Sequence, residues 1–142
     1  MRLIGCLLLL VSAILAQPHR MRERLQSMRI AYLAEEMQLM PEEAQAFWPL
    51  YNAREAELQK HRRNTREQLR SLQQRIPPLS AEAYADSVSA IYLSLWQKEL
   101  EIRRSFHERF KKVLPPQKLA RFYLAELRFL RRILGEEVHD RE

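Results

Sequence analysis

Cysteine is almost missing from this chain: there is one, Cys6, inside an apolar N-terminal run. If that run is removed, no disulfide, thiolate metal ligand or cysteine nucleophile is left. Glycine is nearly as scarce, with two in 142 residues. There is accordingly no glycine loop to cradle a phosphate, no nucleophile elbow and no dinucleotide fingerprint. The same scarcity deprives a β-sheet of turn material. Leucine, alanine, glutamate, glutamine and arginine are plentiful instead, and all of them favour helix. The expectation is an all-α protein that binds other proteins and is not an enzyme.

The N-terminus reads as a leader. Met1-Arg2 supplies a positive start, Leu3–Leu15 is almost wholly apolar, and Ala16 precedes the polar Gln17. That order is a secretory signal peptide over residues 1–16, with an alternative cut at Val11-Ser12-Ala13. The run falls short of the roughly 20 residues a membrane span needs, so an uncleaved anchor is the lesser reading. Cys6 lies near the start of the run, where a lipoprotein cysteine does not belong. Residues 17–135 are expected to form a single helical domain, followed by a polar tail over 136–142. Cleavage takes one basic residue from the 24 and none of the 18 acidic ones, leaving a net charge near +5.

Apolar residues recur at helical spacing along the rest of the chain. Met21, Leu25, Met28, Tyr32, Leu33 and Met37 mark a first helix from about Arg20. Leu39–Tyr51, LMPEEAQAFWPLY, opens a second. Pro41 suits the first helical position, and Glu42 and Glu43 suit the positive end of the helix dipole. Met40 stands at the cap without a capping oxygen, while Glu43 occupies the capping-box position. Capping, rather than acid–base chemistry, is the reading for these paired carboxylates. Pro49 removes one helical hydrogen bond and predicts a kink. The seam Leu50, Tyr51, Leu58, Thr65, Leu69 and Leu72 carries this helix to about Gln74.

Pro77-Pro78 stops it, and Ser80 is placed to cap a third helix from Ala81 to about Val113. Its seam runs through Tyr84, Val88, Ile91, Leu95, Ile102, Phe106, Phe110 and Val113. Pro115-Pro116 breaks again, and a fourth helix carries Leu119, Phe122, Leu127, Leu130, Ile133 and Leu134. Gly135 is its expected C-terminal cap.

Short connections make successive helices antiparallel neighbours. Folding the long pair about residue 77 or 78 sets His61 near residue 94 and Trp48 near residue 107. Folding the last pair about 114–115 brings Phe122 to the same level. Phe47, Trp48, Tyr51, Phe106, Phe110, Phe122 and Tyr123 are thereby expected in one packed cluster. Glu99–Arg103 and Glu108–Lys112 are candidate pairs four residues apart. Charge is segregated: residues 35–57 are acidic and residues 103–132 basic. Lys60, Arg62, Arg63, Arg66 and Arg70, with Arg75, make the far end of the long hairpin a positive tip with little local compensation. This tip is the candidate binding site for clients or a partner. The histidines His61 and His107 are too far apart to share a metal, and Glu136-Glu137-Val138-His139 lies in the tail. No metal site and no cofactor are expected.

Two stretches carry a family likeness. LMPEEAQAFWPLYNAREAEL at Leu39–Leu58 and VLPPQKLARFYLAELRFLRRIL at Val113–Leu134 resemble the Spy/CpxP-like exported helical proteins, including members labelled sensors of ECF-type sigma factors. The likeness covers roughly Met28 to Leu134. Members typically carry two Leu-Thr-x-x-Gln motifs. Here Leu39 is followed by Met40 and Glu43 at the Thr and Gln places, and Leu114 by Pro115 and Lys118. Leu39, Pro41, Glu43, Phe47, Trp48, Pro49, Tyr51, Leu114, Pro116, Phe122 and Tyr123 are the motif and structural residues it marks.

The resemblance implies a kinked four-helix cradle with two long central helices, often dimeric, in the periplasm. It further implies an ATP-independent holding chaperone for unfolded or stress-exposed proteins. The alternative is a regulatory or sensor module that binds one dedicated, membrane-bound or sigma-pathway partner. A homodimer and a weak contact with anionic membrane surfaces complete the expected partners, and nucleic acid is not among them.

Overall fold

The computed structural model describes residues 20, 21, 23–75 and 77–135. The expected signal peptide over 1–16 and the tail over 136–142 lie outside the described residues. Among those described, the fold is all-α, with four helices and no strand. Helix α1 ends at Met37 and covers 23–37, with residues 20 and 21 also helical. It is followed by α2 (Pro41–Gln73), α3 (Ala81–Phe110) and α4 (Pro116–Leu134). No described helix is long and apolar enough to cross a membrane.

The helix ends follow from local chemistry. Gln38 leaves α1 in a left-handed conformation, with φ of 48°. At the start of α2, the Met40 N–H donates to the Glu43 carboxylate at 2.9 Å, while the Met40 carbonyl takes the first helical bond from Ala44. Glu43 thus supplies one half of a capping box. Pro49 is exposed inside α2, which continues to Gln73. Ser80 caps α3 by accepting from the Ala83 N–H at 3.2 Å. Helix α3 stops at Phe110, three residues before the expected Val113, and hydrogen-bonded turns through Val113 and Leu114 replace its last turn. Gly135 ends α4 with φ of 75°, the left-handed cap that glycine adopts without strain.

The chain divides into two compact units. One is Met40–Leu119, built on α2 and α3. Its cross-pairs Phe47–Phe110, His61–Leu95 and Arg62–Glu99 run in opposite senses along the two helices, so they form an antiparallel hairpin. The expected level of His61 was residue 94, and its ring nitrogen lies 3.3 Å from the Leu95 carbonyl oxygen. Tyr51, Leu58 and Thr65 of α2 and Ile102, Phe106 and Phe110 of α3 are buried along the seam. Thr65 satisfies its hydroxyl by donating to the His61 carbonyl at 3.1 Å. Tyr84, expected in the seam, is 38% exposed; it is the fourth residue of α3, in its first turn.

The other unit combines the residues up to Leu39 with those from Ala120 onward. Here α1 and α4 run antiparallel. Arg29 pairs with Glu126, Glu36 with Arg128 at 3.1 Å, and Arg121 donates to the Gln38 side chain at 3.1 Å. Tyr32 and Phe129 stack at 5.6 Å. Leu33 and Met37 on α1, and Phe122, Ala125 and Phe129 on α4, are buried. Of these contacts, Glu36–Arg128 joins the acidic segment 35–57 to the basic segment 103–132.

Candidate functional site: exposed apolar faces and a positive tip

The aromatic cluster is a core and presents little to a ligand. Within the α2–α3 unit, Phe47 stacks on Trp48, Tyr51 and Phe110, with ring centroids 5.1–5.9 Å apart. Phe106 adjoins Phe110 at 6.3 Å. Phe47, Tyr51 and Phe110 are buried, and Trp48 is half-buried. Phe122 and Tyr123 stack on each other in the other unit, at 5.0 Å.

Arg54 lies buried among these rings and was not foreseen. Its guanidinium carbon stands 5.1 Å from the Tyr51 ring centre and 5.5 Å from that of Phe110. Glu55 neutralises it, at 2.9 Å. Desolvated guanidinium–ring contacts contribute about 2 kcal/mol. The signal was available: Phe47, Tyr51, Arg54 and Leu58 are spaced four, three and four residues apart, so Arg54 occupies a core position.

The positive tip is narrower than the sequence suggested. Arg62 makes a bidentate bridge to Glu99 across the hairpin, at 2.5 and 2.9 Å. Glu99 is buried, and Arg103 approaches it at 3.7 Å from the next turn of α3. The hydrogen bond from Arg62 holds the Glu99 carboxyl below its ordinary pKa, helped by the charges of Arg62, Arg103 and His61 against the cost of burial. The same bond raises the pKa of Arg62. Arg62 is thus a tie between the long helices. Lys60, Arg63, Arg66 and Arg70 stay exposed and form no ion pair within the described residues. Arg63, Arg66 and Arg70 share one face of α2 by their three- and four-residue spacing. Beside the tip, an open groove of about 760 Å³ is lined mainly by polar α2 side chains, with Ile91 from α3. Glu108 pairs with Lys111 at 3.1 Å in place of the expected Lys112.

Two apolar faces are left in solvent. On α1, Met21 is 67%, Leu25 40% and Met28 54% exposed. With Tyr32 these residues form one stripe at four- and three-residue spacing. On α4, Leu124, Leu127, Leu130 and Ile133 are all at least 45% exposed. Because α1 and α4 are antiparallel, Met28 and Ile133 each lie one turn beyond the Tyr32–Phe129 contact, and they extend it into exposed apolar surface. Exposed arginines, among them Arg24 and Arg131, border this face. Lone exposed leucines are ordinary; several exposed methionines and leucines on one helical unit, rimmed by charge, make a candidate interaction surface. The periodicity had put Met21, Leu25, Met28, Leu127, Leu130 and Ile133 on helices without separating their exposed faces from their buried ones, and Leu124 was not singled out.

The second face is on α3, where Tyr92, Leu93, Trp96 and Leu100 are 49–66% exposed. Tyr92 and Trp96 meet edge to face at 6.0 Å. None belongs to the seam assigned from sequence. Their own four- and three-residue spacing, opposite that seam, was the available sign.

Among the described residues no group of three or more His, Cys, Asp or Glu side chains is placed to hold a metal ion. None of the family models, curated proteins or solved structures compared with this chain matches it.

Proposed function

We propose that this protein is an exported, ATP-independent holding chaperone of the Spy/CpxP-like type, acting in the periplasm on unfolded or stress-exposed proteins. The observation that carries the reading is the exposed methionine- and leucine-rich face of the α1/α4 unit, bordered by arginines. Unfolded chains expose apolar side chains without a fixed shape. Methionine and leucine on a helical face adapt to such varied partners better than a rigid pocket does. The positive tip of Lys60, Arg63, Arg66 and Arg70 adds long-range attraction for acidic clients. The leader over 1–16 and the family likeness supply the compartment and the class.

The test is light scattering from two unrelated unfolding proteins, without ATP, at rising concentrations of this one. Suppression of both near stoichiometric ratios is the expected result. No effect on either transfers the proposal to the alternative, a regulatory or sensor module with one dedicated partner in an envelope-stress or ECF sigma-factor pathway.

A further inference from the structure

Sulfur is confined to one short stretch of this protein. Methionine stands at Met1, Met21, Met28, Met37 and Met40, and the one cysteine is Cys6. Removal of the proposed leader therefore leaves no thiol, and every remaining methionine lies between residues 21 and 40. The structure sorts these methionines by access. On α1, Met21 is 67% and Met28 54% exposed, while Met37 is fully buried. Met21 and Met28 are two turns apart on one side of the helix, with Leu25 between them. Met40 is exposed too, but it stands at the start of α2, outside this stripe. The exposed apolar residues of α4 are leucines and one isoleucine, so α1 carries the sulfur of this unit's exposed apolar surface.

We infer that Met21 and Met28 are oxidation sites, and that a hypohalous acid, by converting them to sulfoxides, turns the exposed stripe of α1 from apolar to polar. Each thioether reacts with hypochlorous acid to give sulfoxide, chloride and a proton. Sulfur loses two electrons and chlorine gains them; a sulfur–oxygen bond forms and the oxygen–chlorine bond breaks. With no thiol to intercept the oxidant, the exposed thioethers are its first targets. The sulfoxide oxygen accepts hydrogen bonds from water, and covering it with an apolar partner costs free energy where covering the thioether released it. The fold survives, because the methionine in the core, Met37, is out of the oxidant's reach. The change is reversible. Sulfoxide reductases, one for each epimer, restore the thioether as a dithiol becomes a disulfide and water is released. The effect on clients rests on the holding proposal; the oxidation and the change of surface do not.

Limiting hypochlorous acid and the purified, leaderless protein supply the test. Peptide mass spectrometry is expected to find oxygen added to Met21 and Met28 about tenfold faster than to Met37. Binding of the apolar dye anilinonaphthalene sulfonate is expected to fall about twofold, since α4 keeps its own exposed leucines, while helical circular dichroism stays unchanged. The sulfoxide reductases with a dithiol are expected to restore the dye signal. Met21→Leu/Met28→Leu keeps the stripe apolar without sulfur, so the same treatment is expected to leave its dye binding in place. Met21→Gln/Met28→Gln is expected to show the lower signal with no oxidant, and Met40→Leu to lose signal on oxidation as the natural protein does. Oxidation of Met37 as fast as Met21 and Met28 overturns the inference. So does an equal fall in the leucine variant, or an unchanged signal with both sulfoxides formed. Light scattering keeps the two proposals apart: untreated protein that suppresses no aggregation ends the holding proposal, and the dye titration still decides this one.

Discussion

Met40 stands where a helix of more than thirty residues begins, and its side chain carries no oxygen to receive the first N–H groups. Glu43 supplies the reciprocal half, accepting from the Met40 N–H at 2.9 Å. The free N–H groups of α2 itself still lack a side-chain acceptor at the cap. Backbone angles of φ −68° and ψ 156° already suit a capping residue, so a hydroxyl placed there needs no rearrangement. Met40→Thr is therefore expected to raise stability by about 1 kcal/mol, read as a higher melting temperature. An unchanged melt means that water already caps this end as well as a threonine does. Met40 and Ser80 were legible as caps because capping depends on neighbours three residues away. Arg54 was harder to read. An arginine at a seam position is ordinarily bent towards solvent along its aliphatic stem, and here the rings of Tyr51 and Phe110, the latter 56 residues on, hold it in beside Glu55. Trp96 was missed for the opposite reason: a single helix carries two apolar stripes, and only one of them could be assigned to the hairpin.

At the scale of elements, the hairpin was readable because prolines fix where α2 ends and where α3 can begin. Once Pro77 and Pro78 set the fold point, register followed by counting, and His61 met Leu95 as a consequence. The Arg62–Glu99 bridge was less legible, since Glu99 also has Arg103 four residues away on its own helix. The longer-range partner gained the closer geometry because Arg62 reaches it as a fork with two N–H groups. This bridge gives the hairpin an acid-sensitive tie. The folded state lowers the Glu99 pKa, so the unfolded chain binds the proton more readily. The stabilisation is complete above the ordinary carboxylate value of about 4.3, and is lost as pH falls through the lower folded value. Melting temperature is accordingly expected to fall more steeply from about pH 5 to pH 3 in the natural protein than in Glu99→Gln, whose amide does not titrate there. Parallel slopes would show that other carboxylates govern acid unfolding.

For the whole molecule, sequence periodicity announced helices correctly but could not sort their apolar side chains into core and surface. Leu127, Leu130 and Ile133 have the spacing of a packed seam, yet the described helices leave them exposed. Period reports which residues share a face; it is silent on whether a partner covers that face. The proposed holding function gives the exposed face and the positive tip different duties, and the two can be separated. Binding through the α1/α4 face depends on apolar area, so Leu127→Asp/Leu130→Asp is expected to require about tenfold more protein for equal suppression of scattering, a loss near 1.4 kcal/mol. Added salt leaves that deficit in place, because screening acts on charge and not on apolar burial. Neutralising the tip with Lys60→Gln, Arg63→Gln, Arg66→Gln and Arg70→Gln is expected to act the other way. Suppression of an acidic client weakens at low salt and matches the natural protein at high salt, where the tip's field is already screened. If the leucine variant suppresses as well as the natural protein while the tip variant fails at every salt concentration, clients are held by charge alone, and the apolar face belongs to some other contact.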